Sequence, residues 1–308
     1  SPKGMINAFK GDTLLAPLSK TGFEARYFAA SNLMRIDSGR SFVGLEARRS
    51  KDFYVQPLGA ILRARDTKGY VAGLSLGASY NRDDYINKIY LSYAYGAARQ
   101  DLSTQRTQTK ANLFQIGTMN RYKFSLLESD LNANFLLGNF NINNEWQEDL
   151  LNSTSTFSNY QLLLGLTVGA RFGEKFSIKP FVGLANYLEW QEGFTTVLGF
   201  ESNAYNAYVL DANAGLEGHY MFNDLASIYS KASFEQRLYN SHKHLFLRSN
   251  ATELRYENKS YDSAINVSLG AQILSYKSLR LNVEGLFRHY NTGLNYYGGS
   301  LLFKYGIN

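Results

Sequence analysis

The chain has 308 residues, with 32 Lys and Arg against 26 Asp and Glu for a formal net charge of +6, 26 Gly, four Pro and no Cys. An aromatic share of 15% beside a charged share of only 19% excludes a disordered chain or a coiled coil, and the lack of Cys excludes disulfide scaffolds, thiolate metal sites and Cys nucleophiles together. No run approaches the roughly 18 apolar residues of a membrane helix, SPKGMINAFK lacks the apolar core of a signal peptide, and the basic residues are scattered, so neither a helical membrane protein nor a nucleic-acid partner is expected.

Residues 1–52 show no sustained alternation. Phe23, Tyr27, Ala30, Leu33 and Met34 follow a helix-like spacing, which predicts a short amphipathic helix within an otherwise irregular segment. Beyond residue 52 the period changes to two. From Tyr70 the even positions read Tyr70, Ala72, Leu74, Leu76, Ala78 and Tyr80, against small or polar residues between them. The same order of aromatic, aliphatic, aromatic recurs from Tyr160 to Phe172 and from Tyr208 to Tyr220. A soluble sandwich alternates too, but the bilayer asks for aromatic residues at both strand ends and a closed sheet that pairs every backbone group. A polar interior then accounts for the mean hydropathy of −0.30.

Marking such runs predicts about twelve strands, near 53–65, 69–81, 86–99, 109–123, 125–139, 159–172, 175–188, 206–222, 225–238, 260–275, 278–290 and 294–306. The expected fold is all-β, a 12-stranded antiparallel transmembrane β-barrel with the N-terminal segment in its pore. Turn signals such as Gly173-Glu174 and Asn223-Asp224 fall between strands. The joints after even strands are short and most joints after odd strands are long, so by the rule of short periplasmic turns both ends of the barrel face the periplasm.

Placing the aliphatic positions toward lipid puts the other parity inside. There the charged residues collect: Arg63, Arg65, Lys88, Arg121, Arg171, Lys179, Arg237, Arg280, Arg288 and Lys304, with Asp130, Asp211, Glu217, Glu235 and Glu284. The plain reading is that they solvate and brace the interior. The sharper one is a cation-rich wall that contacts a translocating or plugging segment. Twelve strands lie between filled eight-stranded barrels and open porins, so one helix or one extended polypeptide fits inside and a wide general pore does not.

Catalytic constellations are sparse. His242 and His244 sit in an expected outer loop without a third metal ligand, and His289 with nearby Asn291 is the one hint of a lipase-like pair, with no Ser at a partner position. Gly39, Gly44, Gly73 and Gly77 form no phosphate loop. No enzyme activity, cofactor or metal is expected.

Residues 53–308 resemble the C-terminal translocator, or β-domain, of the bacterial autotransporters of type V secretion. The resemblance is carried by YVAGLSLGASYN followed by YINKIYLSYAYGAARQ, by LTVGARFGEKFSIKPFVGLANY, and by the block from SAINVSLGAQILSYK to the end. It implies a barrel in the bacterial outer membrane that carries its own N-terminal passenger to the cell surface, with residues 1–52 as passenger remnant and linker. It also implies outer-membrane lipid, the barrel assembly machinery and the passenger as partners, and a monomer. Gly298, Leu301, Phe303 and Tyr305 resemble the terminal-strand signal that the machinery reads, although the chain ends Gly306-Ile307-Asn308 rather than on an aromatic. Asn7 and Asn32 are isolated, so self-cleavage is not expected. Two other readings compete: a small-solute channel lined by the Arg and Lys set, and an outer-membrane lipase.

Overall fold

The computed structural model describes residues 50–82, 84–101, 105–146, 153–195, 201–223, 226–241, 244–249, 252–257, 262–276, 279–291 and 293–307. Its strands in chain order are β1 (Ser50–Arg63), β2 (Thr67–Asn81), β3 (Tyr85–Asp101), β4 (Gln105–Phe124), β5 (Leu127–Trp146), β6 (Ser153–Ala170), β7 (Phe176–Gln191), β8 (Phe194–Thr195), β9 (Glu201–Ser202), β10 (Tyr205–Met221), β11 (Ser227–Asn240), β12 (His244–Ser249), β13 (Thr252–Glu257), β14 (Ser263–Tyr276), β15 (Leu279–Tyr290) and β16 (Asn295–Ile307). Twelve of them close an antiparallel barrel, each pairing with the next long strand of the chain and β16 returning to β1. β13, β12, β9 and β8 make a separate small sheet. Among the described residues no helix is long and apolar enough to cross a membrane, which leaves strands as the membrane-crossing elements.

The period-two pattern sets the wall. On β2 the even positions from Lys68 to Ala78 point outward, with Tyr70, Leu74 and Leu76 exposed, while Val71, Ser75 and Ser79 are buried inside. The same inversion holds on β6, where Leu164, Leu166 and Val168 are exposed and Phe157, Asn159 and Gln161 are buried. An outer surface this rich in exposed Leu, Ile, Val and aromatic side chains has no place in water and suits a bilayer. Turns fall where the sequence announces them. Gly173 turns the chain between β6 and β7 with φ +91°, and a Cβ there would lie 2.1 Å from the Phe176 carbonyl oxygen, so only glycine fits.

Two features differ from the sequence expectation. β1 starts at Ser50, three residues earlier, and β4, β5 and β6 run for 20, 20 and 18 residues, well beyond the roughly 9–11 that cross a membrane. Their extra length is polar, as in QRTQTK of β4 and STSTFSN of β6, so hydrophobic alternation fades while the backbone ladder continues. β8, β9, β12 and β13 lie within the two long outer connections and are too short to leave a periodic signal. The end with the short turns carries both the start of β1 and the end of β16, where Lys51 pairs with Ile307; by the turn-length rule it is the periplasmic end.

Candidate functional site

The inner wall has two zones. At the periplasmic end, β4, β5, β6, β7 and β10 bring together Arg121, Glu128, Asp130, Arg171, Lys179 and Glu217, all buried. Strand pairing places them: Arg121 lies opposite Asp130, and Glu217 opposite Lys179. Arg171 Nε donates to Glu128 Oε1 at 2.6 Å and its Nη2 to Glu217 Oε1 at 2.6 Å. Lys179 Nζ reaches Glu128 Oε2 at 2.9 Å and Asp130 Oδ2 at 3.2 Å. Arg121 grips Asp130 with two nitrogens, Nη2 at 2.7 Å from Oδ2 and Nε on Oδ1. Three cations and three carboxylates are thus locked into one network, in which each charge has a counter-charge and fixed hydrogen-bond geometry.

Nearer the outer end a second set spans β10, β11 and β15. Arg237 donates to both oxygens of Asp211 at 2.9 and 3.2 Å, and Arg288 Nη2 to Glu235 Oε1 at 2.7 Å while its guanidinium lies 4.7 Å from the Tyr290 ring centroid. A third tie crosses the seam between first and last strands, where Lys304 Nζ is 3.1 Å from Asp52 Oδ2. Asp52 also accepts from Ser79 and Asn81 of β2 at 3.4 and 3.1 Å.

Beside these ties the outer half of the wall also carries apolar side chains, and Arg288 itself lies opposite Tyr296. Leu58, Leu62, Leu113, Leu136, Phe140, Ile142, Phe157, Tyr290 and Tyr296 form one buried cluster around the outer half of the lumen. Phe140 and Phe157 stack at 5.2 Å, and Phe194 of β8 lies against Phe157 at 5.2 Å, tying the outer sheet to the rim. The lumen therefore departs from a uniformly polar channel. The apolar collar was hidden because several strands are apolar on both parities, as at Leu113-Phe114 and Leu136-Leu137, and hydrophobicity alone does not tell which residue of such a pair faces inward.

Lys88, Arg121, Arg171, Lys179, Asp211, Glu217, Glu284, Arg288 and Lys304 are buried on the inner parity, and Arg280 is half-buried on it, opposite Lys304. Arg63 and Arg65 do not join them. Arg63 shares the outward parity of Phe53 and Ile61 at the outer end of β1, and Arg65 is exposed in the turn that follows, so both charges meet water beyond the membrane. Glu128 and Asp52 were not among the expected lumen residues. Glu128 shares the parity of Asp130, a signal the sequence does contain, whereas Asp52 precedes the alternation that marks the first strand from residue 53. Of the terminal-strand residues, Leu301, Phe303 and Tyr305 are exposed outward on β16 and Gly298 faces in, opposite Ala60 and Leu286.

The lipase-like pair is not formed: His289 Nδ1 contacts Asn295 Oδ1 at 2.7 Å, and Asn291 instead accepts from the Asp262 and Ser263 amides. His242 and the side chain of His244 lie outside the described residues, as do residues 1–49 with the expected helix. Among the described residues no group of three or more His, Asp or Glu is placed to hold a metal ion.

A closed 12-stranded barrel with a lipid-facing exterior and an inner wall braced by paired charges defines a transmembrane transport barrel. The family model of the vacuolating cytotoxin autotransporter VacA C-terminal domain matches residues 18–305, and the chain belongs to that family. It is the outer-membrane translocator barrel of an autotransporter. No curated protein matches the sequence. Solved structures share its fold: the translocator domain of autotransporter NalP from Neisseria meningitidis (14% identity, 94% of this chain and 99% of that one, TM-score 0.65), the transport unit of autotransporter AIDA-I from Escherichia coli (11%, 93% and 97%, 0.60) and the β-domain of the Bordetella autotransporter Brka (12%, 83% and 99%, 0.59).

Proposed function

We propose that the passenger's route is the lumen itself, with the chain before β1, residues 1–49, as the linker that crosses it and residues 50–308 as the translocating barrel. The observation that carries this reading is the two-zone wall. A chain entering beside Ser50 meets the charged belt of Arg121, Glu128, Asp130, Arg171, Lys179 and Glu217 first and the apolar collar of Leu58, Leu113, Phe140 and Phe157 beyond it. A segment with one apolar face complements such a wall, and the spacing of Phe23, Tyr27, Ala30 and Met34 supplies one. Length is sufficient: an extended chain covers about 3.3 Å per residue and a helix about 1.5 Å, against a membrane roughly 40–45 Å thick.

The belt also weighs against the channel reading. A pore selective for anionic solutes needs cations with free charge, and here Arg121, Arg171 and Lys179 are each matched by a buried carboxylate. Leu301, Phe303 and Tyr305, outward on β16 beyond the inward Gly298, are the alternating residues that the barrel assembly machinery would read, and the barrel acts as a monomer without chemistry of its own. The test is an epitope placed before Ser1 in cells that express the chain behind a secretion signal. Antibody binding to intact cells is expected. An epitope that is reached only after the outer membrane is permeabilised overturns the reading.

A further inference from the structure

On the lipid-facing side of β10, β11, β14 and β15 the wall is dented by an apolar groove of about 500 Å³. Its floor is one row across the ladder, since Gly218 pairs with Ser230, Ser230 with Leu269 and Leu269 with Gly285. Along that row Gly218 and Ser230 keep the surface low on one side of the exposed Leu269 and Gly285 on the other, with Tyr220 and Val283 also lining the groove. At Gly285 an added Cβ would meet nothing within 4 Å, so a larger side chain can be built there without a clash at its base. A void against lipid tails forfeits dispersion contacts along its whole lining, so a chain able to follow the groove is held more closely than its neighbours.

The groove's membrane position and its charge name the occupant. It lies toward the periplasmic end, where Tyr220 precedes the last residue of β10. There Lys175 Nζ lies 5.8 Å from the Tyr220 ring centroid, and the Lys175 carbonyl accepts from the Met221 amide at 2.9 Å, which fixes this turn beside the groove. Exposed Glu174 adjoins it. A cation with a carboxylate neighbour at the headgroup level, above a slot of alkyl width, matches a glycerophospholipid with a phosphate and an amine.

We propose that this groove seats one acyl chain of a phospholipid of the periplasmic leaflet, with its phosphate at Lys175. The inference depends on which face meets lipid and not on the route of the passenger. The test uses the full chain in nanodiscs of mixed phosphatidylethanolamine and phosphatidylglycerol, extracted into detergent, washed, and weighed by native mass spectrometry. One retained phospholipid per barrel is expected, with retention falling at least about fivefold in Gly285→Leu and in Ser230→Leu, which fill the floor, and falling also in Lys175→Glu. Gly59→Leu, an equal change on the lipid face away from the groove, should retain it. Faster migration of unboiled samples in gel electrophoresis reports that each variant is folded. Retention that persists in folded Gly285→Leu and Ser230→Leu, or that falls equally in Gly59→Leu, overturns the proposal, and retention indifferent to Lys175→Glu overturns the headgroup contact.

Discussion

Three cations converge on Glu128, whose side chain has no exposed surface: Arg171 at 2.6 Å, Lys179 at 2.9 Å and Arg121 at 3.6 Å. Removing one partner of a buried network leaves the others facing a low dielectric without their counter-charge. Glu128→Gln, which keeps the size, is therefore expected to cost about 3–5 kcal/mol in reversible urea unfolding. A cost below about 1 kcal/mol would show that water reaches the belt and that its ion pairs behave like surface ones. A contrasting pair tests the parity of β6. Leu164 is 43% exposed on the lipid side, so Leu164→Arg should destabilise by about 2–4 kcal/mol, whereas Thr167→Arg faces inward opposite Asp130 and should cost much less. Equal costs would mean that the two residues do not lie on opposite walls. Both residues were placed correctly by alternation alone. Arg63 and Arg65 were not, because alternation reports which face a residue shares and says nothing of where the membrane ends; a charged residue of outward parity just past the interface has the same pattern as one inside.

At the scale of elements, the seam between β1 and β16 is interrupted. Its register runs from Lys51 opposite Ile307 to Val55 opposite Phe303 and resumes only at Leu58 opposite Ser300. Pro57 lies in the gap and has no N–H to give to a ladder. Side chains bridge what the backbone does not: Gln56 Nε2 donates to Ser300 Oγ at 2.9 Å, and Lys304 meets Asp52. Asp52→Asn should thus lower the temperature at which the fast-migrating unboiled form is lost, by several degrees and more than Asn→Asp or Gln→Ala exchanges at exposed outer turns. An unchanged transition would show that the seam needs no side-chain tie. The strands themselves were legible wherever apolar and polar residues alternate. The outer extensions of β4, β5 and β6 were not, since Gln, Thr, Asn and Ser occupy both parities there, and the ladder that continues them is set by the neighbouring strand and not by the residues' own pattern.

For the whole molecule, closure removes every free edge from the barrel, and this is why a chain with a mean hydropathy of −0.30 can live in lipid. The strand count limits the lumen to one polypeptide, and its wall carries a charged belt at the periplasmic end and an apolar cluster in the outer half. Membership of the VacA C-terminal domain family makes the barrel a translocator, and the two-zone wall supplies a physical reason for an amphipathic segment to rest within it. The measurement that bears most directly on this account is single-channel conductance in planar bilayers, for the whole chain and for a chain lacking residues 1–49. The account predicts small or rare openings for the whole chain and a several-fold larger, steady conductance after deletion, because the segment that occludes the lumen is gone. Equal conductance for the two chains would place the segment outside the barrel and contradict passage through the lumen.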